Sequence, residues 1–319
     1  MATTYAGSNN WVDNGSYLSN QKLSADMKAQ ALGMYVWRQF VDKKDGLGAS
    51  AGDVVTFTKR MRIATQGTTL VETSQMTQQQ IKVTKGTCSV AEFGNKVLYT
   101  LKADTLSKFN MKSEYGKGLV DDQVAAIDLD IYNQFTGAKF KAVCTNSGKS
   151  HVEFKTNGTA TSTATRGISS ANFRGIVDYA KKSHIPKMGS YYICVGATDF
   201  ISSLYDDLQS VAMYAEPEFR FKDEAGRYYG SRFVEDNVTC DNTAGNSNYG
   251  EGFLFGEEAV CEVMALPEEI RYYEEEAGRF KFLMWIGILG HAKMWDRVTD
   301  GASSPDLNGL ERIIHITSA

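Results

Sequence analysis

The chain has no CxxC pair. Its 5 cysteines, Cys88, Cys144, Cys194, Cys240 and Cys261, are scattered and odd in number. That pattern excludes a disulfide framework and reads as reduced and intracellular. There is no basic excess. A net charge of -4 excludes a protein whose main task is gripping nucleic acid, while leaving room for weak, general contact with DNA. No apolar run is long: Phe282 to Gly290 spans 9 residues, against the roughly 20 needed to cross a bilayer. The N-terminal MATTYAGSNNWVDNG has no basic stretch followed by an apolar one, so no signal peptide is expected. Proline is scarce at 4, while glycine is frequent at 29. The four histidines, His151, His184, His291 and His315, show no His-Glu-x-x-His or similar metal spacing. Each is expected to be a surface or internally satisfied side chain. No Gly-x-Ser-x-Gly nucleophile elbow occurs.

What is present is enough to bury a large core. A length of 319 residues suggests two domains or one elaborate one. Hydrophobic residues at 42% and charged residues at 23% are ordinary for a soluble globular protein. Residues 1–20 are Asn, Ser, Gly and Thr around two anchors, Trp11 and Tyr17, and read as an extended arm that docks elsewhere. Ser24 to Val41 reads as a helix capped by Ser24, with Met27, Ala31, Met34, Trp37 and Val41 on one face.

The segment Val54 to Tyr99 reads as a β-hairpin without a core of its own. Phe57, Met61 and Ile63 alternate with Thr58, Arg60 and Arg62, and Ile81 and Val83 flank Lys82. This period of two makes the flanks strands. Phe57, Met61, Ile63, Ile81 and Val83 are expected to form the stem. The tip, Thr65 to Gln80, is nearly all Thr, Gln, Ser and Gly, with Leu70, Val71 and Met76 as its few apolar residues. Two strands alone are marginal in water, so the hairpin must lie on the rest of the chain or on another copy. The three tip residues, with Trp11 and Tyr17, are the candidate inter-subunit contacts.

A long helix is expected from Ser113 to Phe135, with Val120, Val124, Ile127, Ile131 and Phe135 as a stripe and Gly137 as its stop. At about 1.5 Å per residue it is roughly 35 Å long. Strands are expected at Phe140–Cys144 and His151–Phe154. From Gly167 the composition shifts. A helix carries Phe173, Ile176, Val177 and Ala180, capped by Ser170 and halted by Pro186. Tyr191–Val195 reads as a buried strand and Asp199–Leu208 as a helix. Glu218–Phe221 and Tyr228–Glu235 flank a hairpin turn at Asp223–Gly226. Gly252–Leu266, Arg279–Ile288 and Arg312–Thr317 read as further strands. Without βαβ regularity the class is α+β, mainly antiparallel. No internal repeat is present.

Candidate chemistry is thin. Asn146-Ser-Gly-Lys-Ser150 resembles the end of a phosphate loop, but Val143 stands where the first glycine belongs and a strand follows instead of a helix. A surface turn is the better reading. Asp121, Asp122, Asp128 and Asp130 on the long helix cannot chelate together, because neighbouring helical residues diverge. They read as a solvated acidic face. Asp241, Asn242, Asn246, Asn248 and Glu251 are oxygen-rich but lack the EF-hand spacing, and read as a loop. No catalytic residue, cofactor or metal site is therefore expected.

In its segment order the chain resembles the major capsid proteins of tailed bacteriophages, in particular the N4-like group with the HK97-like fold. The most similar segments are Gly226–Asn237 (GRYYGSRFVEDN), Leu254–Val260 (LFGEEAV) and Leu310–Ile316 (LERIIHI). The resemblance implies an HK97-like capsid fold. It would comprise an N-terminal arm and helix (1–50), an extended β-hairpin loop (51–100), a peripheral domain with a spine helix (101–166), an axial domain (167–266) and return strands of the peripheral domain (267–319). It further implies a non-enzymatic coat protein of the virion. Such a protein assembles with itself into pentamers and hexamers of an icosahedral shell around double-stranded DNA. Portal, scaffolding and decoration proteins are further candidate partners, with weak non-specific DNA contact and no membrane. No long charged helical segment precedes the arm, so a built-in scaffolding domain is expected to be absent or already removed. The competing readings are a tail-tube or surface-lattice protein, or a soluble hydrolase using carboxylates.

Overall fold

The structure is a computed structural model that describes residues 35–44, 52–63, 67–76, 78–145, 151–160, 162–211, 227–240, 250–297 and 310–318. In order, these form a short 3-10 turn (Trp37–Phe40), β1 (Asp42–Lys44), β2 (Val54–Arg60), β3 (Val83–Ser89), β4 (Ala91–Thr100), α1 (Leu101–Leu106), α2 (Met111–Thr136), β5 (Phe140–Cys144) and β6 (Val152–Lys155). Then follow α3 (Ser170–Lys182), β7 (Tyr192–Gly196), α4 (Thr198–Val211), β8 (Arg227–Tyr228), β9 (Ser231–Glu235), β10 (Glu251–Phe255), β11 (Val260–Glu275), β12 (Phe280–Lys293) and β13 (Ile313–Thr317). The fold is α+β, as the irregular order of elements predicts.

Three sheets result. A seven-stranded sheet runs β6-β5-β13-β10-β7-β9-β8, a four-stranded sheet runs β1-β11-β12-β4, and β2 pairs with β3 alone. Helix α2 packs between them. Its Asn110 side chain caps the first turn by accepting from the Ser113 N–H at 3.2 Å, which leaves one fewer orphan donor. At about 1.5 Å per residue its 26 residues span roughly 39 Å. Gly137 sits at the end as expected, but at φ -69, so its left-handed freedom is not used.

The buried face of α2 is Met111, Leu119, Ile127, Asp128, Ile131 and Phe135. Val120 and Val124, expected in the stripe, are exposed. The helix serves two clusters. Its first half touches Tyr99, Leu283 and Trp285, and its second half enters the main core. That change of partner shifts the buried face around the axis.

At the centre of the main core is Trp37, with no exposure. Its ring centroid lies 4.8 Å from Phe135, 5.3 Å from Phe253 and 6.5 Å from Phe255. Its indole N–H donates to Asp236 at 2.7 Å. The segment before β1 is thus clasped between α2 and the large sheet, where the sequence predicts the end of a helix. Most of that expected helix, from Ser24, lies outside the described residues. The helix at Ser170–Lys182 forms as read, though its cap is Ser169, which accepts from the Asn172 N–H. Tyr228–Glu235 is not one strand. It is folded by a turn at Tyr229–Gly230 into β8 and β9, and the turn expected at Asp223–Gly226 lies outside the described residues.

Candidate assembly surface

The hairpin β2–β3 has a rooted half and an unsupported half. Its register pairs Val54 with Ser89 and Arg60 with Val83. Odd positions of β2 therefore share a face with even positions of β3. Val55, Phe57, Gly86 and Cys88 form the inward face. Val55, Phe57 and Cys88 meet Cys261, Val263, Met294 and Trp295 of the body. Gly290 of β12 lets the root pass close: a Cβ there would stand 2.2 Å from the Ser89 carbonyl oxygen. The expected stem is therefore half right. Phe57 and Met61 are inward, but Ile81 and Val83 fall on the outward side of the register, and Ile63 lies beyond the paired strands. These three are 45–58% exposed.

Beyond Arg60 and Val83 the Met61 N–H still donates across to the Lys82 carbonyl at 2.9 Å, and no described residue past these two belongs to a strand of the hairpin. Leu70, Val71 and Met76 are each 64% exposed. A turn closes at Val71–Ser74, where the Ser74 N–H donates to the Val71 carbonyl at 3.0 Å. All three tip candidates lie in the described segment 67–76 between β2 and β3. Trp11 and Tyr17 lie outside the described residues.

A buried ion network fixes the chain where it leaves the core toward this hairpin. Arg38 holds Glu262 through two hydrogen bonds, at 2.8 and 3.1 Å, and reaches Glu268 at 2.6 Å. His291 Nδ1 pairs with Asp130 at 2.7 Å and its Nε2 stands 3.8 Å from Glu262. Burial pushes the Glu262 carboxyl up, but His291 and Arg38 outweigh it and hold it at about 2. Burial likewise lowers His291, and the two carboxylates more than reverse this, leaving it raised. The Asp128 carboxylate accepts from the N–H groups of Val36, Trp37 and Arg38 at 3.2, 2.8 and 3.2 Å. There burial prevails and lifts it to about 6.

These carboxylates correct the reading of a solvated acidic face on α2. Asp128 is buried, Asp130 binds His291, and Asp122 accepts from the Trp285 indole at 2.8 Å and from Asn95 at 3.0 Å. Two of the histidines are structural: His291 as above, and His315, whose Nε2 lies 2.5 Å from Glu251. Glu251, read as part of an oxygen-rich loop, is instead a buried strand residue that also accepts from the Tyr132 hydroxyl at 2.5 Å. The rest of that loop, 241–249, and the phosphate-loop candidate, 146–150, lie outside the described residues. A shallow hollow of about 480 Å³ between β4 and β12 has Glu92 as the sole carboxylate of its lining, so it offers no acid–base pair. Among the described residues no group of three His, Cys, Asp or Glu is placed to hold a metal ion, and no helix is long and apolar enough to cross a membrane.

No protein-family model and no curated protein matches the sequence. Solved structures do match it. The capsid of Ralstonia phage GP4 superposes with a TM-score of 0.67 at 13% identity, covering 100% of this chain and 98% of that one. The head structure of Helicobacter pylori bacteriophage KHP40 gives 0.68 at 11%, covering 94% and 95%. The cyanophage Pam1 capsid gives 0.67 at 13%, covering 94% and 97%. The fold is the HK97-like capsid fold. It extends over nearly the whole length of both partners in each comparison.

Proposed function

We propose that this chain is the major capsid protein of a tailed phage, located in the virion. In this role it assembles with itself into pentamers and hexamers that tile an icosahedral shell around packaged double-stranded DNA. The observation that carries the reading is the unsupported hairpin tip, set on a phage-capsid fold. Leu70, Val71 and Met76 are apolar, close in sequence and exposed, and an exposed apolar patch marks a contact surface. A subunit that reaches onto its neighbour makes a heterologous, head-to-tail contact. Such contacts close into rings when the rotation allows. In this arrangement 101–166 and 267–319 form the peripheral domain, and 167–266 the axial domain at the ring centre. The hairpin β2–β3 and the arm with Trp11 and Tyr17 overlie adjacent subunits; Ala91–Tyr99, expected in the hairpin, instead belongs to β4 of the four-stranded sheet, where Tyr99 is buried. Portal, scaffolding and decoration proteins complete the set of proposed partners.

Electron microscopy of the purified full-length protein tests this. Closed shells of uniform diameter are expected. Open tubes, flat lattices or a stable monomer would overturn the reading. A chain with residues 67–76 replaced by a Gly-Gly link is expected to fold and to form no shells. Full assembly of that chain would remove the tip from the mechanism.

A further inference from the structure

Among the described residues, the edge of the seven-stranded sheet carries two like charges with no carboxylate paired to either. Strands β8 and β9 pair so that Arg227 stands directly opposite Arg232. Directly opposed residues share a face, with Cβ atoms about 5 Å apart, and like charges there are destabilising. Both side chains are exposed. Among the described residues no ion pair with a carboxylate forms at Arg227, Arg232 or Arg174. The Arg227 guanidinium instead lies over the Tyr191 ring at 4.5 Å and donates to its hydroxyl at 3.0 Å. That contact orients the group without neutralising it.

The turn joining the two strands adds an aromatic. Tyr229 has φ 49 and Gly230 φ 83, the two left-handed residues of a type I′ hairpin turn. A tyrosine in the first of these positions is unusual. It presents its ring at the very end of the sheet, 42% exposed. Lys181 of α3 lies over that ring at 4.1 Å, and Arg174 at 6.0 Å. Arginines are interleaved with tyrosines along this open ridge, while Lys181 is paired with Asp178 at 3.3 Å and Asp178 also accepts from the Tyr229 hydroxyl at 3.0 Å. The ridge is a strand edge and not an enclosed pocket, which suits a polymer better than a free nucleotide.

We propose that the β8–β9 edge is a contact site for the phosphate backbone of double-stranded DNA. A phosphate between Arg227 and Arg232 removes their repulsion and satisfies the guanidinium donors in the forked geometry that arginine favours. Arg174 extends the cationic edge on the α3 side, beside Lys181, whose charge is already paired with Asp178. Such contacts carry no sequence preference. The inference rests on the capsid reading for the identity of the DNA, and it would orient this edge toward the packaged genome.

The test is binding of mixed-sequence duplex DNA to the full-length protein by fluorescence anisotropy between about 50 and 200 mM salt, the range in which phosphate contacts dominate affinity. Loss of two phosphate-contacting charges in R227Q/R232Q is expected to weaken binding about tenfold and to flatten the slope of log K against log salt by about 1.8. Lys102→Gln with Lys117→Gln, exposed cations on α1 and α2, should leave both unchanged. R227K/R232K keeps the charge and should keep the slope. Should the glutamine variant not fold, R174Q reads the same site from α3 and should flatten the slope by about 0.9. An unchanged slope in the folded variants overturns the proposal. So does loss of shells with intact DNA binding, which would make the edge a subunit contact. Absence of shells from the unaltered protein would sink the capsid reading instead, and the salt slope would still report on the site.

Discussion

The two halves of one hairpin treat apolar side chains in opposite ways. At its root, Val55, Phe57 and Cys88 are pressed against Cys261, Val263 and Met294. At its tip, Leu70, Val71 and Met76 stand 64% exposed. The root is stabilised by burial within one chain, at roughly 1.5–3 kcal/mol for each large side chain removed from water. The tip obtains no such term from its own chain. The contrast separates residues that make the fold from residues that the fold holds out for something else.

The comparison is sharpest at Trp37, the other extreme from the tip. Its replacement by Ala leaves a large void among Phe135, Phe253 and Phe255 and strands Asp236 without its indole donor. A loss of about 4 kcal/mol is expected for the folded subunit, read as a shift of the urea midpoint. A loss below about 0.5 kcal/mol, the range of an ordinary surface change, would erase the distinction between core and tip.

Asp128 tests whether a buried carboxylate can belong to the core. Asp128→Ala leaves the N–H groups of Val36, Trp37 and Arg38 without an acceptor, at an expected cost of about 3 kcal/mol. Asp128→Asn keeps one acceptor oxygen and should cost less. The pH profile adds a sign. The carboxyl is raised from 3.8 to about 6, so between those values the folded state holds a proton that the unfolded state has released. Stability of the unaltered protein should therefore fall as pH rises through that window. The asparagine variant should lack this component.

Glu262 has the opposite sign and a smaller effect. Its pKa is depressed from 4.5 to about 2. Its contribution is present above 4.5 and fades as pH falls toward 2. The stability gap between the unaltered protein and Glu262→Gln should therefore close on acidification, as followed by urea midpoints at a series of pH values. A gap that is constant with pH would show that Glu262 contributes by packing and not by its ionised pair with Arg38 and His291.

What the sequence made legible was local. The period of two placed β2 but on the return side reached only Ile81–Thr84, whereas β3 runs Val83–Ser89, and spacing placed α2, α3 and α4 with ends only a few residues off. The hairpin tip was legible because it lacked apolar residues over a long stretch. What escaped was set by partners distant in the chain. Asp122 is an acceptor because Trp285, 163 positions away, reaches it, and Asp128 because Val36 does from 92 positions away. An aspartate beside a helical stripe gives no local sign of such a donor. The Tyr229–Gly230 turn escaped because tyrosine is an unusual first residue for a type I′ turn, which Asn-Gly or Asp-Gly normally announces. Ile81 and Val83 were assigned to the inner face because register, not alternation alone, decides which parity on β3 meets Phe57.

The smallest effect on folding is expected where the effect on assembly is greatest. Leu70→Ser, Val71→Ser and Met76→Ser together remove the described apolar anchors of the tip. Because each is already largely in water, the substitutions should alter the isolated subunit's stability by no more than about 0.5 kcal/mol. The urea midpoint and its slope should both match those of the unaltered chain. Particles, by contrast, should fail to form or should fall apart on dilution, since a contact that anchors each subunit to the next is repeated at every position of a ring. If the triple variant instead loses stability as a monomer, the tip is packed on its own body in solution. The two halves of the hairpin would then differ in degree and not in purpose. If it folds and assembles normally, the exposed residues are incidental and the neighbour is held elsewhere. A normal monomer that no longer assembles is the outcome that makes the contrast between root and tip a division of labour within a single hairpin.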